Sequence, residues 1–487
     1  MNGESYRLKE TRKFNSGNYV FKDFIWKFTK LNVTLHTIGK WYTFQLLSGT
    51  LLDYHIQELN QLINKTIMRK NLFIVLFTMA CISFSACSDN ENNESDIHNP
   101  SPKEQWGPTA KGSDFTVPQL PDLYVNYWEY SYNVEANLAL KISGEFPSCR
   151  YFSFSTYNDE GGEVISGMSD YEIKPDAGCV NPFVQTSNSR NTFTVYIVPA
   201  TATDEQIAKL SSENIIKLGA SIKKACLIIR EYLGVDEYGG VELPSIQAYD
   251  MNTMKEVMAP KRGTSNMWRD PASFQPLWSD SETDVPFMLA PRGSFYPNNA
   301  TDYLYCRTAI EDNQVMTWSF IPAPYPKSVE QYKDAPCRYW SMCFGTQLDT
   351  RSYYSVYDAQ ANVPDGQKVT FVLCVKQNPK LVEIEQAVAN AKAAGQYIHL
   401  IVWDRERPSY FGPETPIGNC ITIMYRNILP NSKWEHSISK MTITPYGDPV
   451  TSSREDPEHM QADLALGEYG PRGTKVFTDE FLQNMSD

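Results

Sequence analysis

The chain has 487 residues, with 44 Lys and Arg against 57 Asp and Glu, a net charge of −13. Such an acidic surface repels phosphate backbones and argues against nucleic-acid partners. With 42% hydrophobic and 13% aromatic residues there is ample material for a buried core, and the length suggests more than one domain.

Residues 1–67 are basic and contain neither cysteine nor proline, unlike everything after them. From Met68 the chain reads Met-Arg-Lys-Asn, then an apolar run from Leu72 to Phe84, then Ser85-Ala86-Cys87. Two cations, an apolar core and small residues before a cleavage point are the parts of a secretory signal peptide. The core is shorter than the roughly 20 residues needed to span a bilayer. Because the small residues end at a cysteine, residues 68–86 resemble a bacterial lipoprotein signal, with Phe84 where that family has Leu. The resemblance implies that Cys87 is diacylated and becomes the new N-terminus, holding the protein to the cell envelope at the outer membrane. Residues 1–67 are then expected to be an extension annotated from too early a start. The remaining 401 residues carry 33 basic and 52 acidic side chains, a net charge of −19.

Residues 87–114 begin acidic and turn proline-dotted, too polar to offset their conformational entropy, and are read as a flexible tether. The acidic run at 88–96 also resembles the surface-export signal of lipoproteins in the Bacteroidota.

A duplicated pattern follows. Cys149-Arg-Tyr-Phe-Ser-Phe and Cys337-Arg-Tyr-Trp-Ser-Met are each followed by an apolar strand, Thr192 to Val198 and Val369 to Val375. Each strand precedes a helical segment, Asp204 to Leu210 and Pro379 to Ala394, and then a cysteine-headed strand at Cys226 or Cys420. The outer cysteines lie 77 positions apart in one copy and 83 in the other. Four features in one order at similar spacing indicate internal duplication. Period-two alternation puts Arg150, Phe152 and Phe154 on one face, opposite Tyr151, Ser153 and Ser155. The expected fold is mainly β with a few helices: two tandem antiparallel β-sandwich or jelly-roll-like modules, residues 115–250 and 292–450. Between them, 251–291 is expected to be a linker packing Trp268 and Trp278 against the modules. Residues 451–487 read as a polar segment with a short closing helix, after a last strand candidate at Met441 to Pro445.

Motifs for chemistry are scarce. There is no His-Glu-x-x-His, no Gly-x-Ser-x-Gly elbow and no Cys-x-x-Cys, so neither catalytic residues, nor a metal, nor a cofactor is assigned. The eight cysteines after Cys87 are expected to be mostly free buried thiols. Arg150 and Arg338 each share a strand face with large apolar side chains, and a buried guanidinium needs a partner. That partner is either a ligand carboxylate or phosphate, or an Asp or carbonyl of the protein. Two loops offer aromatic side chains, Tyr238 within Val235 to Pro244 and Trp403, Tyr410 and Phe411 within Trp403 to Gly412, the two loops being read as counterparts.

The repeated Arg-Tyr-x-Ser strand, with its later Ile-Ile-Arg or Ile-Met-Tyr-Arg strand, is similar to uncharacterised bacterial tandem β-domain proteins over residues 130–445. The resemblance implies an architecture and no mechanism. The expected function is that of a lipid-anchored envelope protein, binding a small molecule, glycan or protein without catalysis, with the membrane as partner through its lipid. The alternative is an envelope hydrolase with its site between the modules, using groups such as His399 and Asp404.

Overall fold

The computed structural model describes residues 100–114, 117–187, 189–268, 283–290, 296–346, 348–441 and 461–486, and the backbone of two upstream strands. Those strands, β1 (Val33–Thr37) and β2 (Lys40–Phe44), pair antiparallel within a separate unit, Met1–Ser95. The expected signal peptide, Cys87, the acidic run, Trp278 and the strand candidate beyond Met441 lie outside the described residues.

The body, Asp96–Asp487, is mainly β and contains four five-stranded sheets. In the first module one sheet runs β3 (Ala110–Lys111), β4 (Val125–Asn133), β10 (Lys224–Tyr232), β6 (Tyr151–Asn158) and β7 (Val164–Ser169), antiparallel throughout. Its partner runs β12 (Lys255–Val257), β11 (Ser245–Asp250), β5 (Leu138–Glu145), β8 (Thr192–Val198) and β9 (Ile215–Lys217), with only the last pair parallel.

The second module repeats this order. One sheet runs β14 (Met288–Leu289), β15 (Thr301–Ala309), β23 (Cys420–Ile428), β17 (Tyr339–Gly345) and β18 (Ser352–Tyr357). The other runs β13 (Asp284–Pro286), β24 (Arg472–Phe477), β16 (Gln314–Phe320), β19 (Val369–Val375) and β20 (Ile398–Trp403), again with only the last pair parallel. The duplication extends to the backbone. Leu120 and Tyr296, each five residues before its strand, both have positive φ, and so do Leu233 and Leu429, each just after its closing strand. Positive φ is uncommon outside glycine, so its recurrence at matched positions marks one fold used twice.

Alternation along the strands builds three cores. Phe152 and Phe154 of β6 and Leu227 and Ile229 of β10 face Phe193 and Val195 of β8 inside the first sandwich. Trp340 and Met342 of β17 and Ile421 and Ile423 of β23 face Trp318 and Phe371 inside the second. The other face of these strands, smaller and more polar in sequence, is also buried. Tyr151, Tyr157, Ile228 and Tyr232 of the first module join Tyr339 and Ile428 of the second in a third core between the modules. Tyr232 and Tyr339 meet edge to face, 5.2 Å between centroids.

The 13-residue helix Leu381–Ala393 buries Ile384, Val388 and Ala391, at helical spacing, against Val372 and Cys374. Its first-module counterpart is a single turn, Asp204–Ile207. The closing helix spans Thr478–Asn484. Five of the eight described cysteines are buried, and Cys149, Cys179, Cys226, Cys337, Cys343 and Cys374 are free thiols.

Several boundaries and one correspondence differ from the sequence reading. The tether does not reach residue 114, because the helix Pro102–Trp106 and β3 already belong to the first module. Trp106 is buried, its Nε1 donating to the Pro244 carbonyl at 2.7 Å, and Gln105 pairs with the backbone of Ile246 in both directions. One aromatic anchor outweighs a weakly structured neighbourhood. Residues 472–477 are not a polar segment but β24, between β13 and β16. It escapes pattern recognition because Lys475 takes a buried position, reaching toward the Ala309 carbonyl. Finally, Val235–Pro244 follows β10 whereas Trp403–Gly412 precedes β23, so the two aromatic loops are not counterparts. Trp268 is half-buried against the inter-module core, but 251–291 is not linker throughout: β12 edges a first-module sheet, and β13 and β14 edge the two second-module sheets.

Candidate functional site

Arg150 and Arg338 sit one residue before β6 and β17, and Asp170 and Asp358 one residue after β7 and β18. Each Asp closes the edge of its own sheet and receives the arginine of the other module. Arg338 Nη1 lies 3.2 Å from both carboxylate oxygens of Asp170, which also accepts from the Phe152 amide at 3.2 Å. Arg150 Nη1 lies 3.5 Å from Asp358 Oδ2, which accepts from the Trp340 amide at 3.1 Å. Duplication has thus produced two reciprocal ion pairs across the interface. Arg338 is 3% exposed and Arg150 18%. Burial pushes both carboxyls up to about 6, against the pull of Arg338 on Asp170 and of Arg150 on Asp358, so both remain ionised at neutral pH. The carboxylate looked for in a ligand is supplied by the protein itself.

A second reciprocal pair reinforces the first. Arg230 of β10 donates to the Tyr157 hydroxyl and to the Tyr296 carbonyl, both at 2.6 Å. Arg426 of β23 donates to the Leu120 carbonyl. Leu120 and Tyr296 are the matched positive-φ residues, so each closing-strand arginine grips the turn entering the other module.

The aromatic candidates divide. Tyr238 is buried, edge-on to Trp128 at 5.1 Å, and Trp403 is buried with Nε1 donating to the Gly418 carbonyl at 2.7 Å. These two rings close their cores. Tyr410 and Phe411 are 49% and 38% exposed, at the turn between β21 (Pro408–Ser409) and β22 (Gly412–Pro416). The turn is fixed from beneath: Asp349 accepts from the Tyr410 amide at 2.9 Å, and the Arg351 guanidinium lies 3.8 Å from the Tyr410 ring centroid. In the first module residues 218–223 make the same connection without a hairpin.

His399 and Asp404 are not brought together. Their separation along β20 corresponds to roughly 17 Å. The His399 ring contacts the Ala361 carbonyl at 3.3 Å, and burial lowers its pKa, whereas Asp404 pairs with Lys376 at 2.7 Å. Asp284 of β13 pairs with Arg472 at 2.7 Å. Among the described residues, no group of three or more His, Cys, Asp or Glu could hold a metal ion.

One unusual group escaped the sequence reading. Glu231, next to Arg230, points into the first sandwich, 1% exposed, with Asn126 Nδ2 at 3.4 Å from one oxygen and no hydrogen-bond partner for the other. Burial, with Asp236 nearby, pushes its carboxyl up to about 8. The available signal was alternation itself: if Arg230 faces the interface, residue 231 must face the core.

No family model matches the chain. No curated protein matches it either. Among solved structures, an uncharacterised protein from Burkholderia cenocepacia aligns with a TM-score of 0.41 and 10% identity, covering 77% of this chain and 83% of its own. The VPA0106 protein from Vibrio parahaemolyticus aligns with a TM-score of 0.36 and 10% identity, covering 73% of this chain and 89% of its own.

Proposed function

We propose that this chain is a lipid-anchored cell-envelope protein, held at Cys87, whose fused β-modules form a non-catalytic binding unit. The observation that supports binding is the β21–β22 hairpin. It presents Tyr410 and Phe411 to solvent on a base fixed by Asp349 and Arg351, and only the second module has it. Paired exposed aromatic rings on a rigid support favour contact with a glycan or protein surface, because little conformational entropy remains to be lost on binding. The anchor rests on the run from Met68 to Cys87.

Two measurements test this reading. Intact mass and N-terminal peptide mapping of the protein from its native membrane should show a diacylated N-terminus at Cys87, absent from a Cys87→Ala strain. Residues 1–67 found intact would refute the anchor. For binding, native gels cast with soluble polysaccharides or with envelope-protein extracts should retard the wild type. The paired substitution Tyr410→Ala and Phe411→Ala should abolish retardation while changing stability by less than about 0.5 kcal/mol. Equal retardation of the variant would remove the hairpin from the proposal.

A further inference from the structure

The two interface arginines are not equally satisfied. Arg338 straddles both oxygens of Asp170, has the Tyr332 ring centroid 3.7 Å from its guanidinium carbon and is 3% exposed. Arg150 is 18% exposed, and its Nη1 reaches Asp358 Oδ2 and the Arg338 carbonyl at 3.5 Å each, long beside the roughly 2.7–3.2 Å of a firm hydrogen bond. Its Nε and Nη2 have no partner among the described residues. Those two atoms form the edge of the guanidinium whose parallel N–H bonds match the two oxygens of a carboxylate.

The asymmetry comes from one loop. Five residues, 146–150, join β5 to β6, whereas the equivalent connection from β16 to β17 runs from 321 to 338. The longer loop supplies Tyr332 to Arg338, and Tyr325 and Lys327 to Arg150. The Tyr325 ring centroid lies 5.4 Å from the Arg150 guanidinium carbon and 2.9 Å from Lys327 Nζ, so the two cations share one ring. Lys327 is exposed and has no carboxylate partner among the described residues, and Glu330 of the same loop is bonded across the interface to Thr186. Against burial, Arg150 and then Lys327 draw the Asp358 carboxyl down, so the ammonium lies within electrostatic reach of the ion pair. Three cations, Arg150, Arg338 and Lys327, thus stand against two carboxylates, Asp170 and Asp358. One positive charge is left over where a guanidinium edge is open. A monoanion completes this balance; a phosphate dianion would overshoot it beside Asp358 and would call for donors beyond one fork and one ammonium.

We propose that the open edge of Arg150 binds a monocarboxylate, its two oxygens accepting from Nε and Nη2, with Lys327 supplying a second positive charge from the Tyr325 side. The carboxylate belongs either to a small organic acid or to the free C-terminus of a peptide. The site shares no residue with the β21–β22 hairpin and does not depend on the lipid anchor, so either can fail without the other. The test is saturation-transfer NMR on the full-length chain with propionate, propionamide, and N-acetyl-dialanine as its free acid and as its amide. At least one acid should receive saturation and neither amide should; a response to the peptide acid alone assigns the C-terminus as the ligand. Arg150→Lys keeps the charge but loses the fork, and should weaken binding by about tenfold. Lys327→Ala, at an exposed position, should weaken it by about threefold, both variants keeping the wild-type circular dichroism spectrum. Equal saturation of acids and amides, no saturation of either acid, displacement by an equal concentration of inorganic phosphate, or wild-type binding by either variant overturns the proposal.

Discussion

Arg338→Ala should lower the unfolding free energy by about 3–5 kcal/mol, because it strands Asp170 as an uncompensated charge in a fully buried site. Arg150→Ala breaks the reciprocal pair and should cost less, since its guanidinium is partly open to water and Asp358 can be rehydrated. Urea unfolding of the two variants measures the difference, and equal losses would mean that the pairs are not graded by burial. A double-mutant cycle separates the bond from the burial. Arg338→Met with Asp170→Leu removes both charges and should regain most of the stability lost by Arg338→Ala, since an apolar pair of similar volume is often as good as a buried ion pair. Failure to regain it would assign the loss to the Arg338 guanidinium over the Tyr332 ring, 3.7 Å from its centroid.

Why the arginines could be read either as ligand anchors or as structural pairs follows from what a strand pattern contains. Alternation predicted correctly that Phe152, Phe154, Trp340 and Met342 face inward, and that two modules repeat one plan. It could not reveal what lies against the opposite face, because Tyr151, Ser153 and Ser155 suit a solvated face as well as an interface. Only the back-to-back packing of the two sheets makes that face a core, and only the pseudo-symmetry of the packing brings Arg338 to Asp170 across 168 residues. The aromatic loop residues were open to two readings for a similar reason, ligand contact or closure of the core. Trp403 ends a strand and reads as a loop anchor, yet its ring packs near Tyr353 and Tyr354 at 5.9 and 5.8 Å, inside the sandwich. Tyr410 and Phe411 come just before Gly412, whose positive φ starts the second hairpin strand and leaves their rings outside. β24 went unseen because a strand that begins at Arg472, far downstream of its neighbour β16 ending at Phe320, leaves no local signal beyond six residues of weak alternation.

Glu231→Gln should change how stability depends on pH, in a direction that the structure fixes. A carboxyl raised from an ordinary value near 4.5 to about 8 binds its proton more tightly in the folded state than in the unfolded chain. Its contribution is therefore fully present below about pH 4.5 and is lost as pH rises through about 8. At about 1.4 kcal/mol per unit, the wild type should lose on the order of 3–5 kcal/mol from this group alone across that window. Asp170 and Asp358 contribute with the same sign, but their loss runs through about pH 6 and is essentially complete by about pH 7. The two effects are separable: the Gln variant should keep the wild-type slope from the aspartates below about pH 7 and be nearly flat between about 7 and 8. It should match the wild type at pH 4.5 and exceed it at pH 8.5, where Cys149 is still a thiol because burial pushes its pKa up. Urea unfolding at half-unit steps from pH 4.5 to 8.5 gives both profiles, and parallel curves above pH 6 would show that Glu231 ionises without cost. The second module carries an amide at the equivalent position, where Asn427 stands opposite Trp340 as Glu231 stands opposite Phe152. An amide there is compatible with the fold, so the Glu231→Gln profile reports the charge and not a disrupted sandwich.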